Sequence, residues 1–187
     1  MPQEDRNDHE ERIVLAAIAG DKEAFGRLYE LYANQIFKYL YYRTSERSKA
    51  VDMTEIVFLK AWENLPGFGQ RERGLNFRAW LFRMAHNLLV DYHRTKKEIV
   101  ALDEISEQSD NSPLVHSRLE ASEASKDLMD ALGKLDENYR QVICLRFFSE
   151  LSQNEIARAM GLSPGNVRVI QYRALRKLKE VLGKDDE

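Results

Sequence analysis

Apolar residues recur at intervals of three and four along almost the whole chain of 187 residues, and this repeat fades only once. That spacing is typical of helices that bury one face. The interruption spans residues 98–125, where acids, Ser and Asn dominate and Pro113 lies in the turn-forming run SEQSDNSP. We find no alternating pattern that favours a strand. The sequence therefore predicts an all-α fold of two small helical domains joined by a flexible acidic linker.

The domain boundaries follow from that interruption. We place the N-terminal domain at residues 8–97, the linker at 98–125 and the C-terminal domain at 126–187. The C-terminal domain is expected to hold four short helices with short connections.

Three sequence signals predict the helices and a loop of the N-terminal domain. Asp21 is expected to cap a helix that starts at Lys22, because its carboxylate can accept from free backbone N–H groups. A further helix is expected from about Val51 to Asn64. Residues 65–74, with one Pro and three Gly, predict a loop before a basic helix from about Phe77 to Lys97.

Charge is segregated along the chain, although the net charge is only −3. Residues 71–97 carry seven basic and two acidic side chains, and residues 158–179 carry six basic ones and no acid. Between them, residues 98–127 carry eight acidic and two basic side chains. Two basic blocks favour polyanion binding at two places. The alternative is three solvated surfaces with no binding role.

The N-terminus and the cysteine content bear on the compartment. The charged start MPQEDRNDHEER lacks the apolar segment of a signal peptide, and no apolar run approaches the roughly 18 residues that span a bilayer. Cys144 is the single cysteine, which excludes a disulfide framework and is typical of a reducing compartment. We predict a cytoplasmic protein without direct membrane insertion.

The C-terminal segment 152–182 carries the strongest local motif. Ser152 and Glu155 have the spacing of a capping box, so a helix should begin there. Gly161 can end that helix in a left-handed conformation. Ser163 followed by Pro164 then predicts the start of a second helix. Helix, glycine-containing turn and helix is the helix-turn-helix arrangement of DNA-binding proteins.

The second helix of this motif presents two different faces. An apolar arc suits packing, whereas the opposite arc is basic; the apolar arc includes Val167, Ile170, Ala174, Leu175 and Leu182. Arginine can grip phosphates or bond guanine, and an outward valine can contact a thymine methyl group. An ordinary amphipathic helix with a basic outer face is the alternative. The candidate DNA contacts are Ser163, Asn166, Arg168, Val169, Tyr172, Arg173 and Arg176.

The basic helix of the N-terminal domain carries a second candidate face. Aromatic, cationic and amide side chains in one stripe suit an unpaired strand, on which bases stack and cations follow phosphates. Core packing is the alternative for Trp80 taken alone. The adjoining glycine-rich loop could wrap an extruded base. The candidate residues are Phe68, Gln70, Arg71, Trp80, Arg83, Asn87, Asp91 and Arg94.

Four segments of the sequence resemble segments of a known protein family. The segments AGDKEAFGRLYELYANQIFKYL, VDMTEIVFLKAW and FRAWLFRMAHNLLVDYHR are similar to successive parts of the N-terminal domain of bacterial sigma factors of the extracytoplasmic-function group. The segment LDENYRQVICLRFFSELSQNEIARAMGLSPGNVRVIQYRALRKL resembles their C-terminal domain. Together the similarity covers roughly residues 10–97 and 126–182.

The resemblance implies a specificity subunit for core RNA polymerase, through contacts with its β′ and β subunits. The N-terminal face would bind the −10 promoter element, and the helix from Pro164 would enter the −35 major groove. The segment 51–62 would dock on the β′ coiled coil. Its candidate contacts are Asp52, Glu55, Phe58 and Lys60.

The resemblance also implies promoter DNA and an anti-sigma factor as partners, a monomer when free, and no cofactor, metal or catalysis. The acidic linker would thread toward the polymerase active-site channel. This sequence departs from the family at Val51, where an acid is usual, and at Ile56, the second position of a Gln-Glu pair. It also has Arg168-Val169-Ile170 where a Lys-Ser-Arg run is frequent. The family's −35 preference is therefore not carried over to this chain.

Two other classes of protein compete with this hypothesis. A one-component helix-turn-helix regulator would dimerise through its N-terminal domain and bind a palindrome, but it gives the Trp80–Arg94 stripe no role. An enzyme could use His86 and His93 as metal ligands or Cys144 as a nucleophile. The two histidines lack a third partner at a recognisable spacing, and Cys144 sits in an apolar run that predicts a core residue.

Overall fold

The computed structural model describes residues 3–71, 76–100 and 123–183, and every regular element in these ranges is helical. The helices are α1 (Gln3–Ile18), α2 (Lys22–Thr44), α3 (Arg47–Arg71), α4 (Phe77–Val100), α5 (Glu123–Gly133), α6 (Glu137–Ile143), α7 (Gln153–Met160) and α8 (Pro164–Leu182). A π-helical turn, Cys144–Phe148, extends α6. The predicted all-α class is confirmed. Most of the predicted linker lies outside the described residues.

The predicted helix caps are present. Asp21 Oδ1 accepts from the backbone N–H groups of Glu23 at 2.9 Å and Ala24 at 3.1 Å. Ser152 and Glu155 form the reciprocal capping box at the start of α7. These bonds satisfy backbone donors that have no partner within the helix, and so fix where α2 and α7 begin.

The prediction of a loop at residues 65–74 is wrong for its first seven residues. α3 begins at Arg47 and runs through Pro66 to Arg71. Leu65 and Phe68 are each 1% exposed and continue the buried face of Ala61. Burying two such side chains contributes roughly 3–6 kcal/mol, against about 3 kcal/mol for a proline inside a helix. Tertiary packing therefore outweighs the loop preference of Pro66 and the glycines. Residues 72–75 lie outside the described residues.

Helices α1 to α4 form an N-terminal bundle around a shared core. Its fully buried side chains include Leu28, Ile36 and Leu40 of α2, Val57 of α3 and Leu81 of α4. Aromatic rings extend this core toward the end of α3. α4 is thereby held with one face in the bundle, while a second face contacts α7 and the side that carries Arg83, Asn87 and Asp91 lies in solvent.

The C-terminal unit is a smaller group in which α6 and α7 pack against α8 and α5 also contacts α8. Val167 and Ala174 of α8 are fully buried, as expected of its apolar arc. Leu175 and Leu182 depart from that expectation, since they are 41% and 39% exposed. No helix in the described ranges is both long and apolar enough to cross a bilayer.

The two groups of helices lie in contact. α4 packs along α7, and α2 packs against the π-helical turn that follows α6. The rings of Tyr42 and Phe148 stack across this boundary with centroids 3.9 Å apart. The sequence predicts two domains on a tether, but it does not predict this interface.

Candidate nucleic-acid interface

Helix α8 projects a basic and aromatic face into solvent. Ser163 Oγ accepts from the N–H of Asn166 at 3.2 Å, and Pro164 occupies the first turn, so the helix starts where the motif predicts. Gly161 adopts a φ of +68°, the left-handed conformation that the turn between α7 and α8 requires. Both helices of the predicted helix-turn-helix are therefore present with their turn.

The predicted contact residues of α8 share its outer face. Arg168 and Arg173 are exposed, and neither forms an ion pair with another residue in the described ranges. Tyr172 is 67% exposed and Val169 is 47% exposed, so two large side chains stand in water beside these cations. Arg176 differs, because Glu180 lies 3.6 Å from its Nε. Arginine side chains and an outward valine are groups that can contact base edges in the major groove of DNA.

A second surface lies along α4. Arg83, Asn87, Asp91 and Arg94 are all exposed, and the Arg94 guanidinium lies 3.6 Å from the Asp91 carboxylate. Trp80 is half-buried at the same edge of the helix. The predicted stripe is thus brought together on one side of the bundle.

This stripe borders a groove of about 330 Å³ between α3 and α4. Lys60 and Asn64 of α3 face Arg83, Asn87 and Asp91 of α4 across it. An indole, two cations and two amides in one open groove provide stacking, charge and hydrogen bonds together. That set of groups suits an unpaired nucleic-acid strand.

Two predicted contacts are buried. Phe68 is 1% exposed, with its ring centroid 4.5 Å from that of Trp80 and 5.9 Å from that of Phe77. Phe58 is 4% exposed and packs edge-on against Tyr29 at 4.7 Å. Both side chains belong to the bundle core. Phe58 lies on the buried face of α3 beside Val57 and Ala61, and the extension of α3 past Asn64 places Phe68 on the same face. The side chains of Gln70 and Arg71 lie outside the described residues.

The outward face of α3 combines acids with apolar residues. Asp52, Glu55 and Lys60 are exposed, as the docking prediction requires. Ile56 is 39% exposed and Leu59 is 59% exposed on the same side of the helix. The sequence analysis does not predict contacts at these two residues, although Ile56 lies four residues after Asp52 and Leu59 four residues after Glu55, which places them on one face. Exposed apolar side chains ringed by charge are typical of a protein-binding surface.

His86 and Cys144, the candidate residues of the enzyme hypothesis, lie between the helices. Gln141 Nε2 lies 2.6 Å from His86 Nδ1, and because an amide nitrogen only donates, Nδ1 accepts. Burial, and then the nearby Arg43 charge, lowers the pKa of His86. Burial raises the pKa of the Cys144 thiol to about 12. Among the described residues no group of three or more His, Cys, Asp or Glu side chains could hold a metal ion.

Two family models match separate parts of the chain. The model for sigma-70 region 2 matches residues 28–99, and the model for sigma-70 region 4 matches residues 131–180. The sigma factor BldN of Streptomyces coelicolor is 33% identical over 181 residues, which cover 92% of this chain and 66% of BldN. The sigma factor SigM of Bacillus subtilis is 26% identical over 162 residues, covering 86% of this chain and 97% of SigM.

Solved structures agree with the sequence comparisons. CnrH, in complex with the cytosolic domain of CnrY, has a TM-score of 0.69 and 26% identity, covering 92% of this chain and 96% of CnrH. RpoE of Bartonella quintana, in complex with the anti-sigma factor NepR, has a TM-score of 0.68 and 25% identity, covering 85% of this chain and 96% of RpoE. With both region models in this order and curated sigma factors as relatives, the chain belongs to the sigma-70 family, as an RNA polymerase sigma factor of the extracytoplasmic-function group.

Proposed function

We propose that this sigma factor divides promoter recognition between its two exposed helix faces, α8 on the −35 element and the groove beside α4 on the −10 element. On α8, Arg168, Tyr172 and Arg173 contact base edges and phosphates in the major groove. Val169 contacts a thymine methyl group. Ser163, Asn166 and Arg176 hold the helix on the backbone around these contacts.

The −10 face acts on a strand that has left the duplex. Trp80 stacks on a base at the edge of the groove, Asn87 bonds a base edge, and Arg83 and Arg94 follow the phosphates. The Asp91 carboxylate positions Arg94, from which it lies 3.6 Å away. Unpairing costs a few kcal/mol, and capture of the unpaired base offsets this cost only at the right sequence. No covalent step is assigned to the chain.

The outward face of α3 docks on the β′ subunit of core polymerase. Ile56 and Leu59 supply apolar contact, Asp52 and Glu55 add negative charge beside them, and Lys60 lies at the edge of this face, where it also lines the groove. Contact with the β subunit is assigned to the C-terminal unit. An anti-sigma factor is a further partner, as it is for the RpoE relative. We place the free protein in the cytoplasm as a monomer.

One observation carries this proposal: each half that matches a sigma-70 region presents its own exposed cationic and aromatic helix face. Run-off transcription with bacterial core polymerase on a genomic fragment library tests it. We expect selective transcripts only when the chain is added. A tight and specific complex of the free protein with duplex promoter DNA, at controlled salt, would contradict the division of labour.

Asn87→Ala should impair transcription from duplex promoters more than from templates already unpaired at the −10 element. Loss of one hydrogen bond to an unpaired base weakens opening by about five- to tenfold on duplex DNA. Abortive transcription on matched duplex and pre-melted templates measures the difference. Asn34→Ala, an exposed amide on α2, is the control. Equal losses on both templates would exclude this role for Asn87.

Leu59→Asp should weaken binding to core polymerase by at least about 30-fold, since a central apolar contact is replaced by a buried unpaired charge. The fold should survive, because Leu59 is 59% exposed. Equilibrium binding to purified core polymerase, with circular dichroism as the folding check, measures this. Leu31→Asp on α2, where Leu31 is 49% exposed, should bind normally. Equal binding of both variants would rule out this α3 face.

A further inference from the structure

The groove between α3 and α4 has an apolar strip along its α4 side. Trp80, Met84 and Leu88 line this strip, are half-buried and follow one another at intervals of four residues. They therefore form a line about 12 Å long, at about 1.5 Å per residue. The buried Phe68 ring packs against Trp80, with the two ring centroids 4.5 Å apart, and so holds the indole in place. The strip is long enough for the flat face of a base to stack on it.

The same ring contact sets which polar residues face one another. α3 and α4 run in opposite directions away from it, since Lys60 and Asp91, which are distant from it on their own helices, line the same groove. Asn64 lies about 6 Å from the ring contact along α3, and Asn87 lies about 10 Å from it along α4. The two amides are thus offset by only about 4 Å along the groove, which is close enough for both to bond one base.

The amide of Asn64 has a fixed orientation. Its Nδ2 donates to the Lys60 carbonyl oxygen at 2.8 Å. Because a carbonyl oxygen can only accept, the nitrogen of the amide has to lie on the side of this bond. Within the described ranges Asn64 makes no other hydrogen bond, and its side chain is exposed. Its Oδ1 therefore remains available to a ligand in the groove, as an acceptor in a defined position.

The four bases fall into two classes by the groups on the edge that an unpaired base presents. Adenine and cytosine carry an exocyclic amine beside a ring nitrogen that accepts hydrogen bonds. Guanine and thymine carry a carbonyl oxygen at the same place, beside a ring N–H. An acceptor in a fixed position bonds the amine and repels the carbonyl oxygen. Such an acceptor therefore separates the amino bases from the carbonyl bases.

We propose that Asn64, which is not among the residues that the sequence predicts to contact DNA, determines the choice of base in the groove and selects adenine or cytosine. This inference rests on the proposed function, since it concerns the unpaired −10 strand. Asn64 Oδ1 accepts from the exocyclic amine, Asn87 donates to the neighbouring ring nitrogen, and the base stacks on Trp80. With guanine or thymine, Oδ1 faces a carbonyl oxygen, and the amide cannot turn over without losing its bond to Lys60.

Transcription by the holoenzyme on templates already unpaired at the −10 element tests the choice of base without the cost of melting. Each position of the unpaired non-template strand is changed in turn to each of the four bases, and the activity of core polymerase alone is subtracted. We expect one position at which adenine or cytosine supports transcription at least about tenfold better than guanine or thymine. Removal of the amine at that position, as 2-pyrimidinone in place of cytosine or purine in place of adenine, should abolish most of this advantage.

Variants of Asn64 connect this preference to the amide. Asn64→Leu keeps a side chain of similar size without the acceptor, and the preference for amino bases should fall below about threefold. Asn64→Asp keeps an acceptor, so it should retain the order of the bases, with lower activity on every template because of its charge. Asn34→Leu, the same change at an exposed amide of α2, is the matched control and should leave the preference unchanged. Circular dichroism checks that each variant is folded.

The outcomes separate this inference from the proposed function. If no unpaired position prefers amino bases, or if Asn64→Leu keeps the full preference, the role of Asn64 is overturned and the proposed function stands. If the native chain adds nothing to the activity of core polymerase on any template, duplex or unpaired, the proposed function fails and this inference fails with it. A preference that is lost in Asn64→Leu and retained in Asn64→Asp supports both.

Discussion

Phe68→Ala is expected to lower the free energy of unfolding by about 3–5 kcal/mol. The ring is 1% exposed and lies between Trp80 and Phe77, so truncation leaves a cavity where α3 meets α4. Such a loss is a large part of the stability of an ordinary domain. Urea unfolding followed by circular dichroism measures it.

The control is Phe147→Ala, because Phe147 is 50% exposed at the π-helical turn. Its loss should cost less than about 1 kcal/mol. The comparison also decides between two roles for Phe68. A variant as stable as the native protein, yet defective in promoter opening, would restore the sequence-based prediction that Phe68 contacts −10 DNA.

The paired change Arg168→Ala with Arg173→Ala is expected to reduce transcription from a −35-dependent promoter by about 100-fold. Each arginine bonded to a base edge contributes about 1–3 kcal/mol of discrimination, and both side chains are exposed on α8. Run-off transcription at fixed salt gives the magnitude, and protection of the −35 region by holoenzyme gives the location.

Two comparisons sharpen this result. Arg158→Ala removes an exposed cation from α7, off the recognition helix, and should cost only a few-fold through general electrostatics. On a promoter with a scrambled −35 element, the paired change should have little further effect. A loss that is as large on the scrambled promoter would mean that the two arginines contribute charge without sequence recognition.

The helix-turn-helix could be predicted from the sequence because its determinants are local. The capping box of Ser152 and Glu155, the left-handed Gly161 and the Ser163-Pro164 start act within a few residues of one another. Each satisfies backbone groups of its own helix, whatever the rest of the chain does. The exposed stripe along α4 could be predicted equally well, because it follows from helical spacing alone.

The extension of α3 could not be predicted in the same way. Pro66 and three glycines are local signals for a loop, whereas Leu65 and Phe68 favour helix only through partners on α4. The ion pair between Arg43 and Glu137 has the same origin. No residue near Arg43 in the sequence indicates that its partner is Glu137, because only the fold brings the two side chains together. Ile56 and Leu59 differ from these two cases, because their helical spacing from Asp52 and Glu55 is enough to predict that they lie on the same face of α3.

The single sulfur nucleophile of this chain is sealed beneath the helices. Cys144 is wholly inaccessible, and its thiol pKa of about 12 leaves almost no thiolate at neutral pH. Peroxide and electrophiles react with the thiolate, so the native fold protects this sulfur from them. If the genes under this factor respond to oxidants through a reactive thiol, that thiol has to reside in another molecule, and the signal reaches this protein through binding.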